Sequence, residues 1–224
     1  MIRAGTNAIR RPLSCLFGAM GFALAACASG PPPAFYVLGA MPPAATRTVP
    51  ETGVPVVLVK PVMVPDYLDT TDLVVRDGGE VIPSRTGRWG ERLSVGITRT
   101  LAAGLADRLP CMKVTAAQSP ERPVRQVLVD VDAFEARTDG LIILTARWSI
   151  MDGAGRGPML AERITLTVPL AGTGDAAIVA AMTRAVSDLA DRIAAGVVFE
   201  LLVRLDQLQP RSGGRGGFGG ETSR

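Results

Sequence analysis

Three sets of side chains in this sequence have the types and spacing to do chemistry. They are a thiol at Cys27, acids at Asp66, Asp69, Asp72 and Asp77, and arginines at Arg76, Arg85, Arg88 and Arg92. Cys27 closes an apolar run directly after Leu24-Ala25-Ala26, where a thiol at a membrane surface is the best nucleophile available for alkylation. The four acids could hold a hard cation such as calcium, but their spacing lacks a regular ligand loop. The arginines suit a solvated rim, an acidic partner or a lipid headgroup. Asp130 and Asp132 fall on one face of an expected strand and read as the solvated side of a sheet. Gly153, Gly155 and Gly157 lie between two expected strands with no helix N-terminus to hold an anion, so they read as a hairpin turn and not as a phosphate loop. The sequence has no histidine, which removes the commonest general base and the usual metal ligand. No catalytic constellation remains, and the sequence reads as a binding module that is not an enzyme, with no cofactor.

The elements that position these residues begin with a leader. Arg3, Arg10 and Arg11 precede an apolar run from Leu13 to Ala26 that is short for a stable transmembrane span. Leu24-Ala25-Ala26-Cys27 resembles the bacterial lipobox. The resemblance implies that residues 1–26 are a signal peptide cut before Cys27, and that Cys27 carries a diacylglyceryl group and an acylated amino terminus. Two or more acyl chains anchor stably where one binds reversibly. The competing reading is an ordinary secretory signal with a cysteine at the cleavage site. Removing the leader's three arginines leaves 21 basic against 21 acidic side chains, so the pI near 9.0 gives no ground for a nucleic-acid partner. Of the three cysteines, Cys15 leaves with the leader and Cys27 carries lipid. Cys111, between Pro110 and Met112, is then alone and reads as a small buried hydrophobe.

Residues 27–34 read as a lipidated, Pro-rich tether and residues 35–208 as one domain. Short strands are expected at Phe35–Leu38, Val54–Val59, Leu73–Arg76, Glu80–Pro83 and Lys113–Ala116. Asp77-Gly78-Gly79 forms a hairpin turn and residues 60–69 a fixed turn. A helix is expected from Arg88 to Leu109, with Trp89, Leu93, Ile97, Leu101 and Leu105 on a broad apolar face. Gly96, Thr100 and Gly104 on that face would let it sit close on a sheet. Arg125–Ala136, Leu141–Met151 and Met159–Leu170 alternate as an antiparallel meander. In the first of these, Val127, Val129, Val131 and Ala133 face one way, and Leu128, Asp130, Asp132 and Phe134 the other. Gly172–Asp175 caps a second helix with a stripe from Ile178 through Val186, Leu189 and Ile193 to Val197. The following run, Val197 to Leu205, is apolar on nearly every side. It is either a helix end buried in the core or a surface for another protein. Residues 209–224 read as a disordered Gly/Arg tail. The fold class is α/β, a single domain with a mixed, largely antiparallel β-sheet packed by two long helices.

Three ordered stretches carry a family resemblance. Val64-Pro65-Asp66-Tyr67-Leu68-Asp69 followed by Leu73-Val74-Val75-Arg76, then Arg88-Trp89-Gly90-Glu91-Arg92-Leu93, then Phe134-Glu135-Ala136-Arg137 with Gly140 and Ala146-Arg147-Trp148, resemble the PqiC/YmbA family of ABC-type transport auxiliary lipoproteins. In that family the second stretch starts a helix. The resemblance covers about residues 34–196 and implies an outer-membrane lipoprotein facing the periplasm. It further implies partnership with an MCE-domain protein and its ABC permease and ATPase, moving phospholipid or other hydrophobic molecules and supporting membrane integrity. Ala28 after the lipid cysteine fits outer-membrane sorting. A different class, a lipoprotein regulator of a peptidoglycan synthase, would want a longer tether. Candidate partner-surface residues are Tyr67, Leu68, Val197, Phe199 and Leu201, and the apolar run also offers an interface for a ring-like homo-oligomer. Tyr67 and Leu68 can equally pack beneath the first helix, and Trp89 and Trp148 read as core.

Overall fold

The computed structural model describes residues 32–39, 53–117 and 121–208; the expected signal peptide, Cys27, most of the tether, the 40–52 loop and the C-terminal tail lie outside them. The chain divides into two units, Met1–Pro33 and Ala34–Arg224. The second holds eight strands and two helices among the described residues. In chain order they are β1 (Ala34–Tyr36), β2 (Val56–Val59), β3 (Asp72–Asp77), β4 (Glu80–Trp89), α1 (Leu93–Arg108), β5 (Lys113–Thr115), β6 (Arg125–Arg137), β7 (Leu141–Asp152), β8 (Pro158–Pro169) and α2 (Asp175–Leu208). No described helix is long and apolar enough to cross a membrane.

All eight strands join one mixed sheet organised on β6. One edge of β6 receives β2 near Arg125–Val127, then Met63 opposite Asp130, then β3 at Ala136–Arg137, all parallel. β5 adds to β2 and β1 to β4 in parallel, while β3 and β4 form the hairpin expected at Gly78-Gly79. The other edge of β6 carries the meander, with β6–β7 and β7–β8 antiparallel along nearly their whole lengths. Parallel pairings are more numerous, but the antiparallel ladders are the long ones. The glycines at 153, 155 and 157 lie in the β7–β8 turn, as their position between strands implies.

The core lies between this sheet and the two helices. Ile142, Leu144, Ala146, Trp148 and Ile150 of β7 are all buried, as strict alternation requires. Ile97, Leu101 and Leu105 of α1 and Val186, Leu189 and Ile193 of α2 belong to the same buried cluster. Both tryptophans are buried.

Four local expectations change. The helix does not start at Arg88. Trp89 donates its N–H to Thr71 O at 2.7 Å, Gly90 donates to Tyr36 O at 2.7 Å, and residues 87–89 pair with β1. Bonded on both sides, Arg88 and Trp89 end a strand, and α1 begins at Leu93. In β6 a bulge between Val131 and Ala133 inserts one residue and reverses the alternation. Phe134 and Ala136 are therefore buried with Val127, Val129 and Val131, and not on the side of Asp130. Gly104 serves a helix and not a sheet: a Cβ there would lie 3.1 Å from Ala190 Cβ of α2. Cys111 is exposed, because it sits in the turn after α1 where Pro110 has ended the helix.

Candidate functional site

Residues from each of the three resemblance-bearing stretches converge on one seam where the 65–69 turn meets α1, β3 and β6, while Arg147 lies apart on β7. Pro65 O accepts the N–H groups of Leu68 at 2.9 Å and Asp69 at 3.1 Å, which closes the turn. That turn drives Leu68 fully into the core and leaves Tyr67 partly exposed. The Tyr67 hydroxyl donates to Glu135 Oε2 at 3.4 Å, Arg76 Nε lies 3.5 Å from Glu135 Oε1, and the Arg76 guanidinium carbon stands 5.8 Å from the Tyr67 ring centre. Glu135 is only 7 % exposed, a buried acid that is stable there because it is paired and hydrogen-bonded. Burial first, and then the Glu135 charge, push the Tyr67 phenol above its ordinary value, while Arg76 opposes them.

One turn along the same segment, Asp69 Oδ1 accepts the backbone N–H of Ser94 at 3.0 Å and Oδ2 lies 2.7 Å from Arg92 Nη2. Ser94 is the second residue of α1. The residue at the N-cap, Arg92, makes no side-chain cap, so Asp69 caps the helix from outside it. Burial pushes the Asp69 carboxyl up, but the hydrogen bonds from Ser94 and the Arg92 charge outweigh it and hold it below its usual value. Arg88 pairs with Asp72 at 3.2 Å. Three of the four arginines thus each hold a separate acid. Among the described residues no group of three His, Cys, Asp or Glu is placed to hold a metal ion. In the seam the charged groups are engaged with one another and with backbone N–H groups, which ties the turn to α1, β3 and β6.

Surfaces suited to binding lie elsewhere. The apolar run after Gly196 continues α2 as helix, with its sides divided. Val197 is buried and Leu201 packs on the core, whereas Val198, Phe199 and Leu202 are open, the last two at 58 and 59 %. Of the sequence candidates, Tyr67 and Phe199 are exposed and Leu201 is partly so. Leu68 and Val197 are not surface residues at all, because each points along the helix or turn face that meets the sheet. Sequence reasoning missed Val198 and Leu202; a 3.6-residue projection of the run from the buried Val197 would have found both. A second surface is an apolar groove of about 370 Å3 between α1 and the 61–62 segment, lined by Pro61, Val62, Val95, Thr98 and Ala102. There Thr98 Oγ1 accepts Val62 N–H at 2.9 Å and donates to Ser94 O at 2.7 Å, fixing the groove floor. A third lies on the outer face of the meander, about 510 Å3, beside Asp130, Arg147 and Arg163. Its arginines are already engaged, since Asp132 takes Arg147 at 3.1 Å and Arg163 at 2.9 Å.

Comparison with known proteins gives a family and a fold. The family model for the ABC-type transport auxiliary lipoprotein component matches residues 36–194. No curated protein matches the chain. Among solved structures, an uncharacterized protein is similar with a TM-score of 0.64 at 20 % identity, over 75 % of this chain and 99 % of its own. A Xanthomonas campestris protein of the DUF330 family is similar with a TM-score of 0.58 at 16 % identity, over 72 % of this chain and 96 % of its own. The seam lies inside the matched residues, and the end of α2, with the buried Val197 and the exposed Val198, Phe199 and Leu202, lies beyond them.

Proposed function

This chain belongs to the family of ABC-type transport auxiliary lipoprotein components, and from that premise we propose that it is a non-catalytic part of an MCE-linked ABC transporter. It is held at the outer membrane by lipid on Cys27, faces the periplasm, and helps move phospholipid or another hydrophobic molecule across the envelope, supporting membrane integrity. The observation that carries the reading is the family match across residues 36–194. The lipobox-like Leu24–Cys27 supports the anchor, and Ala28 supports outer-membrane sorting.

The docking surface we assign is the open side of the α2 end, Val198, Phe199 and Leu202, with Tyr67 a second candidate. An apolar stripe on a helix of known register suits another helix or an apolar edge of a partner chain. The partner proposed is the MCE-domain protein, with its permease and ATPase behind it. Tagged full-length chain, solubilised with its membranes and captured, is expected to bring down the MCE-domain protein and ABC subunits. The double variant F199S/L202S is expected to lose them while the chain remains folded. Capture of a peptidoglycan synthase with no MCE-domain protein would overturn the transport reading in favour of a synthase regulator.

A further inference from the structure

The first strand and the residue just after it carry two apolar side chains, Phe35 and Val37, that the fold leaves uncovered. Tyr36 packs against the core and Leu38 is buried, so alternation places Phe35 and Val37 together on the opposite face. Phe35 is 72 % exposed and Val37 is 53 % exposed. The backbone that presents them is firmly held. Tyr36 O accepts Gly90 N–H at 2.7 Å, Leu38 O accepts Arg99 Nη2 at 2.7 Å, and Gly39 N–H donates to Thr183 Oγ1 at 3.2 Å. Neither side chain can swing inward without breaking this attachment. On the neighbouring strand Arg88 stands in register with Phe35, and Asp72 neutralises it at 3.2 Å.

What covers this face follows from chain length. Eight residue steps separate Cys27 from Phe35, and a fully extended chain gains at most about 3.6 Å per residue, so the Phe35 Cα stays within about 29 Å of the Cys27 Cα. The helix α2, with 34 residues at about 1.5 Å each, is about 51 Å long. The β1 edge is thus confined to the membrane-near part of a domain large enough to extend well beyond it. We propose that Phe35 and Val37 form a membrane-contact surface that enters the interface of the bilayer holding the acyl chains of Cys27. An uncharged apolar pair on an anchored edge fits a lipid surface, where such side chains sit at the headgroup–acyl boundary. The proposal rests on the lipidation of Cys27, and it adds a contact made by the folded domain itself. It fixes which edge of the sheet faces the membrane.

The test uses full-length chain purified with its lipid and bearing F35W, reconstituted in phosphatidylcholine–phosphatidylglycerol vesicles with and without brominated acyl chains. Trp89 and Trp148 are buried, so the wild-type spectrum serves as background. Intact mass reports acylation of Cys27 separately. The expected result is an F35W emission shifted to the blue and quenched about twofold or more by bromine, consistent with interfacial depth. T167W, on the exposed edge strand β8, should emit as in water and stay unquenched. If F35W disturbs folding, V37W replaces it, since it shares the face. An acylated chain whose F35W is unquenched, or no more quenched than T167W, overturns the membrane contact and leaves the anchor standing. A chain that carries no lipid on Cys27 overturns both.

Discussion

Removing the Asp69 carboxylate should destabilise the domain by about 1–2 kcal/mol. The estimate comes from two contacts. An N-terminal cap lost to alanine costs about 1 kcal/mol, because a helix N–H is left without its acceptor. Here that N–H is Ser94's, held at 3.0 Å. The ion pair to Arg92 adds a few tenths of a kcal/mol, since the Arg92 side chain is 65 % exposed and well screened. In urea, D69A should shift the midpoint without changing the slope, and for a domain of this size its Tm should fall by about 3–6 °C. D69N keeps an oxygen acceptor for Ser94 and loses only the charge, so it should recover at least half of the loss. The pH dependence has a definite sign. The folded-state value is lowered, so this contribution is present above the ordinary carboxylate value of 3.8 and disappears as pH falls through the folded value. The wild-type advantage over D69N should therefore close in acid. A D69A chain as stable as wild type, or a D69N chain as unstable as D69A, would refute the account of Asp69 as the cap of α1.

At the buried acid, E135A should cost about 2 kcal/mol by stranding Arg76 and Tyr67, and Y67F less than about 1 kcal/mol, both read from urea midpoints. The Tyr67 phenol should titrate above 10.0 in alkaline absorbance and move down in E135Q; its contribution to stability is present below that ordinary value and fades as pH rises through the raised one. Between the helices, Arg108 Nη2 reaches Asp191 Oδ2 at 2.9 Å and Ser187 Oγ at 2.8 Å. An R108A/D191A cycle should show coupling of about 0.5–1 kcal/mol that shrinks in salt, and a coupling of zero would remove this pair from the α1–α2 contact. G196A sets a helix-propensity gain of about 1 kcal/mol against overpacking of about 1–3 kcal/mol. A Cβ there would stand 2.7 Å from Trp148 Cη2 and 2.9 Å from Leu160 Cδ2, so net destabilisation with a changed tryptophan spectrum is expected, and a more stable variant would contradict the packing.

The long elements were legible because each repeats one period for many residues. The β7 alternation and the α2 stripe leave a single arrangement that buries their apolar atoms. Failures came where a non-local bond decides. The Leu, Ile and Trp spacing from position 89 suits a helix, but residues 87–89 are captured by β1 on one side, and Trp89 by Thr71 on the other. No local pattern records those partners. The cap of α1 was hidden for the same reason, since position 92 is arginine and the acid that serves the helix lies on the preceding turn. The β6 bulge inserts one residue, and a period of two has no memory across it, so alternation alone puts Phe134 on the wrong face.

Tyr67, Asp69, Arg76, Arg92 and Glu135 come from three separate stretches, and the structure joins them into a seam of paired charges around a turn. Their spacing is explained by the need to hold the 65–69 turn, α1, β3 and β6 together. A polar group already bonded to its own neighbours has little left to offer a partner, and Tyr67 keeps only the exposed part of its ring for one. Binding capacity remains in open apolar groups, among them Phe199 and Leu202 at the end of α2, Phe35 on β1 and Val37 just after it. Fold-defining residues and contact-making residues are therefore largely different sets in this chain. Substitution in the first set should lower stability before it lowers partner binding. Substitution in the second should leave the urea midpoint nearly unchanged while capture of the partner or contact with the bilayer is lost, and a Phe199 or Phe35 variant that unfolds the domain would break that division.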